Sequence, residues 1–406
     1  MVLVSKMMKG SIQKANQTSS AVHNRRLAVQ LLRYHGALSR QQLAQITGLR
    51  SSTLTYIVRE LLENEVVRTI GKRESKTVGK KQVLLEINPD LGWVVGIGID
   101  RDSMSLSFLD AAGKVVGQER HKTGHDAEEL PGQLAGHINK WAGSNGETME
   151  KLLGVGIASP GVVDYKQGVL LKSTWLNTQN FPMGRLVSEA VGVPVMVDND
   201  ANFAALAEAR RGSARGLGAF IYFYVSSQQH GSSMQIYGLG STYFLDHKLY
   251  RGTHFGAGEV DATLEPSPSD HDVVTPEQLT QLASEDASIT PELSKILSGL
   301  AVPMSSVVNL IDPEAVILGG NVSITNKKAV QAIEAAINRT IVPVPNRFVE
   351  VRASTFVDQG SSMGAAIAAI EAVKIVEGEP LPVGQIPSTE SEPSNGNARS
   401  VARTLS

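Results

Sequence analysis

The sequence predicts an N-terminal all-α, winged helix-turn-helix module followed by an α/β body in two lobes. Three observations carry that prediction. Residues 25–87 hold three apolar-periodic segments and then two β-rich runs separated by a basic stretch. From residue 92 onward, strand patterns alternate with helical ones, as α/β layering requires. The charge is also split. Residues 1–85 contain 15 Lys+Arg and 4 Asp+Glu, a net +11, so the remainder of a chain with formal charge -2 carries -13. A basic head on an acidic body fits a nucleic-acid-binding module joined to something that should not bind nucleic acid.

In the head, Leu27, Val29, Leu31 and Leu32 mark the first helix. Ser39 caps a second, SRQQLAQITG, with Gln42 as its capping-box partner, and Gly48 makes the turn. Ser51 or Ser52 is expected to cap a third helix, whose core face is Leu54, Ile57, Val58, Leu61 and Leu62. Its other face carries Arg50, Ser51, Ser52, Thr53, Thr55, Tyr56 and Arg59, short hydroxyls and long cations suited to phosphates and base edges. Val66–Thr69 and Val83–Glu86 read as two strands of a wing, with Lys72, Arg73, Lys76, Lys80 and Lys81 between them. A merely solvated helical hairpin would not need caps, turn glycine, apolar spacing and wing to agree.

After a turn at Asn88-Pro89-Asp90, the body opens with strands at Gly92–Ile99, Ser103–Leu109 and Lys114–Arg120. A helix at Ala127–Ala142 and a buried strand at Leu152–Ile157 follow, the strand ending in Ser159-Pro160-Gly161. A second lobe is expected from residue 193, with the strand VPVMV and the helix opened by DNDANFAALAEARRG. Then come a strand at Ala219–Val225, a polar loop at Ser226–Ser233, a Gly238-Leu239-Gly240 turn and a strand at Ser241–Leu245. Thr290 and Pro291 start a helical run to Ile311 that Pro303 should kink or split. Ala315–Leu318 and Phe348–Ala353 read as strands, and Leu279–Ala283, Lys327–Arg339 and Gly360–Val376 as helices. The expected divisions are a flexible segment 1–24, the winged module 25–87, lobes 88–192 and 193–376, and a disordered Pro/Ser/Glu-rich tail 377–406.

Composition narrows the function classes. Cysteine is absent, which excludes disulfides, thiolate catalysis and Cys-ligated metal. No apolar run in the sequence reads as membrane-spanning, and MVLVSKMMKG does not read as a signal peptide, so a cytoplasmic protein is expected.

Several stretches resemble the ROK family, which groups sugar-responsive repressors with sugar kinases. They are SRQQLAQITGLRSSTLTYIVRELLENEVV, GVGIASPGVVD, VDNDANFAALAEARRG, LYRGTHFGAGEV and LIDPEAVILGGNVS. The resemblance implies an actin-like, two-lobed sugar kinase/ribonuclease H-like fold behind the winged module. It implies ligand contact at Asp200 with Asn199 and Glu259, and a loop edge at Ser159 and Gly161. Asn177 is a further ligand candidate, and Trp175 beside it either stacks on a sugar face or fills the lobe. Asp200 also stands where a helix N-cap would, and Glu259 where a surface acid would.

The departures from that family matter equally. Where family kinases have the phosphate-wrapping DxGxT turn, this chain has Gly98, Asp100 and Asp102. Carboxylates repel a triphosphate and a Cβ blocks close approach, so ATP and kinase activity are not expected. Ala262 replaces the family's zinc-associated histidine and no cysteine follows. His271 between Asp270 and Asp272 lacks a ligand set, so neither metal nor cofactor is expected. Residues 226–237 read as an insertion at the cleft mouth. The expectation is a DNA-binding transcriptional regulator of the repressor type, a homodimer or dimer of dimers on a double-stranded DNA operator, with a sugar or sugar-derivative effector and no membrane. The alternatives are a sugar kinase with an added module, and a regulator that has lost its small ligand.

Overall fold

The computed structural model describes residues 20–73, 82–101, 103–124, 126–230, 233–260, 273–322 and 324–375. The head comprises α1 (20–35), β1 (Leu38–Ser39), α2 (Arg40–Thr47), α3 (Ser51–Glu63), β2 (Val67–Arg73) and β3 (Gln82–Ile87), with sheet order β1-β3-β2. The capping box forms as the residues dictate. Ser39 Oγ accepts from the Gln42 N–H at 3.2 Å and Gln42 Oε1 accepts from the Ser39 N–H at 2.9 Å. Gly48 ends α2 in the left-handed region at φ 67°. Leu31, Leu43, Leu54, Ile57, Leu61 and Ile87 close one core, which includes Ala111 from the body. Two expectations are corrected. The N-cap of α3 is Arg50, with no side-chain bond, instead of Ser51 or Ser52. Residues 20–24, read as irregular, belong to α1.

The first lobe is built on β4 (Trp93–Ile99), β5 (Ser103–Asp110) and β6 (Val115–Lys122), an antiparallel meander. β7 (Leu152–Ser159) and β11 (Val195–Asn199) extend it in parallel, giving the order β11-β7-β4-β5-β6. Residue 193 is therefore not the lobe boundary, because β11 pairs with β7 of the first sheet. α4 (Leu130–Ser144) and α5 (Met183–Val191) cover one face, where Phe108 stacks on Trp141 at 3.8 Å. Between β7 and α5 lies a small sheet the pattern did not reveal, β8 (Val162–Asp164), β9 (Val169–Ser173) and β10 (Thr178–Phe181).

The second sheet repeats the pattern. β12 (Phe220–His230), β13 (Ser233–Leu245) and β14 (Lys248–Tyr250) form the antiparallel meander. β15 (Val273–Val274) pairs with β13, while β16 (Ala315–Gly320) and β17 (Glu350–Ala353) add in parallel to β12. α7 (Pro276–Ala283), α8 (Pro291–Ile311) and α9 (Lys327–Thr340) contribute to its outer layer. The 226–240 stretch is not a loop and turn. It prolongs the β12–β13 hairpin, with Gly238 and Gly240 inside β13.

Pro303 does not split α8. This helix also has the length and hydropathy of a membrane span, against the reading of the sequence. Its Leu293, Leu297, Met304 and Val308 are nonetheless buried in the second core. α6 (Asp200–Arg211) and α10 (Gly360–Ala372) form the layer between the two sheets, and α10 ends four residues before the expected Val376. Glycine permits this. A Cβ at Gly364 would lie 1.6 Å from Phe203 O, and one at Gly156 2.1 Å from Ala365 O. The last helix among the described residues thus packs on the first sheet.

Candidate functional site

The cleft begins where β11 hands over to α6. Asn199 is the N-cap, its Oδ1 accepting from the N–H groups of Ala201 (2.9 Å) and Asn202 (3.3 Å). Its Nδ2 donates to Gly161 O at 3.1 Å, which ties two parallel strand ends together. Gly161 needs its φ of 112°, since a Cβ there would lie 2.3 Å from Lys172 O. Because Asn199 caps the helix, Asp200 is not consumed as the cap. It accepts one bond, from the Ala201 N–H at 2.9 Å.

Asp200 stands among acids. Burial raises its pKa to about 7, and the charges of Asp100 and Glu259 push in the same direction, against the stabilising Ala201 N–H. Burial and then the Asp200 and Asp100 charges hold the Tyr224 hydroxyl well above its ordinary value. Asp100, read from sequence only as a spoiled phosphate turn, is thus an acidic neighbour of Asp200. Its Oδ1 accepts from the Arg101 N–H at 2.7 Å, and its Oδ2 from Asn321 Nδ2 at 3.4 Å across the cleft. Gly98 lies against the start of α10, where a Cβ would be 2.9 Å from Ser105 Oγ and 3.0 Å from Ser362 N. Glu259 is held by Gly258, whose carbonyl accepts from Ser241 N at 2.9 Å and whose φ is 99°.

Of the other expected residues, Ser159 is buried and its Oγ turns to its own loop, 3.4 Å from Pro160 O. Asn177 is exposed, at the β9–β10 turn, with a left-handed φ of 45°, and its side chain makes no hydrogen bond to the Asn199–Asp200 group. Trp175 packs against the first-lobe core. Asp102, Ala262, Asp270, His271 and Asp272 lie outside the described residues.

Sequence reasoning missed the pair that anchors the cleft. Asp198 is 2% exposed and accepts from Arg251 Nε at 2.8 Å and Nη2 at 2.5 Å. The Arg251 guanidinium also lies 4.1 Å from the centre of the Tyr165 ring. This pair joins the strand before Asp200 to the glycine-rich segment that bears Glu259. The only signal in the sequence was the position of Asp198, two residues before Asp200 on a strand.

A second surface lies on the head. Arg50, Ser51, Ser52, Thr55, Tyr56 and Arg59 are exposed, and Thr53 is half-buried. Arg59 lies 5.4 Å from the Tyr56 ring centre and 3.8 Å from Glu63. Thr55 Oγ1 donates to Ser51 O at 2.8 Å. Arg50 gives the first-turn N–H groups of α3 no side-chain cap. A notch of about 410 Å³ between α2 and α3 is lined by Arg40, Gln41, Gln45, Ser51 and Thr55. Lys72 and Arg73 lie on β2, but their side chains, like Lys76, Lys80 and Lys81, fall outside the described residues.

Comparison with known proteins bears on both surfaces. The family model described as ROK family matches residues 94–264 and 262–372. A xylose repressor of Caldicellulosiruptor bescii is 26% identical over 80% of this chain and 89% of its own. The DNA-binding transcriptional repressor Mlc of Escherichia coli is 24% identical over 90% of this chain and 96% of its own. Among solved structures, a ROK family transcriptional regulator, a homolog of the E. coli MLC protein, superposes with a TM-score of 0.64 at 20% identity. It covers 86% of this chain and 95% of its own. A ROK family glucokinase from Streptomyces griseus, in complex with glucose and AMPPNP, gives 0.55 at 22% identity, covering 68% of this chain and 99% of its own. The body has the actin-like fold of these proteins. The family match begins at residue 94 and leaves the head unmatched, whereas the repressors extend over more of the chain.

Proposed function

The chain belongs to the ROK family, and on that premise we propose that it is a DNA-binding transcriptional repressor whose two-lobed body senses a sugar or sugar derivative. One observation carries the reading. A single chain joins an exposed α3 face of arginines and hydroxyls, whose N-cap Arg50 makes no side-chain cap, to a polar cleft between two lobes. Such a face suits a major groove, with N–H groups and cations on phosphates and Arg50, Tyr56 or Arg59 on base edges. The head is then a winged helix-turn-helix, β2 and β3 being the wing, and Lys72, Arg73, Lys80 and Lys81 add backbone contacts. The names of the similar repressors support the same assignment.

In the cleft, Asn199, Asp200 and Glu259 act as hydrogen-bonding partners for sugar hydroxyls, with Ser159, Gly161 and Asn177 at the edge. A carboxyl that titrates near neutrality both donates and accepts at pH 7, which suits hydroxyl pairs. Catalysis is not part of this reading. Asp100 and Glu259 beside Asp200 make the cleft repulsive to a triphosphate. The protein acts as a homodimer or dimer of dimers, the arrangement that reads an operator of two half-sites.

Genome-wide mapping of bound DNA, followed by gel shifts with a panel of sugars and sugar phosphates, tests the reading. Enriched sites released by a sugar are expected. No enriched sites in cells would overturn the regulator, and ATP turnover with any sugar would favour a kinase.

A further inference from the structure

A cavity of about 560 Å³ lies outside the sugar cleft, at the junction of the head with the body. α1 forms one wall, the β5–β6 turn and β11 a second, and α6, the β13–β14 hairpin and α10 the rest. β11 serves both places. Asn199 at its end belongs to the cleft, while Met196, Val197 and Asp198 before it line this cavity.

The lining combines apolar and cationic side chains. Met196, Phe203, Leu206, Leu249 and Ile367 give it an aliphatic and aromatic floor. Among the lining residues, Arg33, Arg210, Arg211, Lys248 and Arg251 outnumber the acids Asp198 and Glu371. Arg251 pairs with Asp198, and Arg210 with Glu371 at 2.6 Å, while Asp110 lies near Arg211. The lining is therefore net cationic.

Two of the arginines also have spare donors. Arg210 is 8% exposed, and among the described residues its Nη1 has no hydrogen-bond partner. Arg33 gives both terminal nitrogens to Val373 O at 3.2 Å, and its Nε has none. A buried unpaired N–H loses its solvation with nothing in return, more so when charged, so the arrangement is costly unless something accepts from it. Burial also holds Arg33 down to about 10 and lowers Arg211, against the opposing charge of Glu371 and, for Arg211, of Asp110.

We propose that this cavity is a second ligand site, one that takes a small organic carboxylate with an apolar body. The carboxylate accepts from Arg33 and Arg210, while the apolar body covers Met196, Phe203 and Ile367. Arginine's planar fork suits a carboxylate, and the volume lies within the usual range for small-molecule sites. Since α1 is one wall, an occupant bridges the head and both lobes.

The test uses the full chain and octanoate as probe, with octan-1-ol and inorganic phosphate as controls. Calorimetry is expected to show one saturable octanoate site and to find both controls weaker by about tenfold or more. Arg33→Gln should lose about tenfold in octanoate affinity, and Met196→Trp, which fills the floor, should abolish binding. Hydrogen exchange should show residues 20–35 more protected with octanoate bound. No saturable heat at millimolar octanoate overturns the proposal. So does octan-1-ol binding equally well, phosphate binding better, or octanoate binding unchanged in both variants.

Discussion

The α3 surface draws on residues 50–59 of one helix, whereas the carboxylates of the cleft come from residues 100, 200 and 259 on three separate elements. On α3, a 3.6-residue period sends Leu54, Ile57, Val58 and Leu61 inward and leaves the polar face out, with no long-range contact needed. In the cleft, Asp200 depends on the Asn199 cap, Glu259 on the Gly258–Ser241 contact, and both on the buried Asp198–Arg251 pair. A locally built surface should lose function one contact at a time, with the fold intact. A surface assembled over long range should lose stability and binding together. Five substitutions test that contrast.

The largest effect is expected from Arg251→Ala, which leaves Asp198 buried with only the Asn199 N–H and the Asn202 amide as donors. Losing one partner of such a pair costs about 3–5 kcal/mol, measurable as a lower urea midpoint. Ligand binding in the cleft should fall with it. Unchanged stability would show that the cleft is less coupled than its geometry implies.

Asp200→Asn should do the opposite to stability. The shift from 3.8 to about 7 means that the native state binds this proton more tightly than the unfolded chain does. Wild-type stability from this group is therefore fully present below pH 3.8 and is lost as pH rises through about 7. The displacement corresponds to about 4 kcal/mol as an upper bound, less where cleft water screens the carboxylate. Asp200→Asn should raise Tm by an amount that grows from pH 4 to 7 and then levels off, while weakening effector binding. A Tm gain independent of pH would rule out the carboxylate as its source.

On the head, Arg50→Ala and Arg59→Ala should each cost about 1–3 kcal/mol in operator affinity, with stability changed by less than about 0.5 kcal/mol. Gel-shift titration and thermal melting on the same preparations separate the two. Ser39→Ala removes the cap of α2 and should lower head stability by about 1 kcal/mol, seen as faster exchange of the α2 amides with the cleft unaffected.

The head was legible because its determinants are close in sequence. Ser39 with Gln42, Gly48 and the apolar stripe of α3 each act within one turn of helix. The error at Arg50 was also local, since hydroxyls that could cap the helix lie within its first turn. In the body, motifs located Asn199, Asp200 and Glu259, but spacing alone does not say which sheet a strand joins. β11 looked like the start of a second lobe and instead pairs with β7. The 226–240 stretch looked like a loop because its polar residues hid a long hairpin.

Local sequence was enough for most of the helices, the capping box of α2, the charge division between head and body, and the residue types available to the cleft. Those follow from backbone sterics, helical period and composition, which act over a few residues. Only the tertiary structure decided that Asp100 stands with Asp200 and Glu259, that Arg251 holds Asp198, and that α10 returns to the first sheet. It alone set Arg33 and Arg210 around a common cavity. Those juxtapositions depend on close packing between elements as far apart in the chain as β4 and α10, where a glycine such as Gly364 permits a contact that no local pattern encodes.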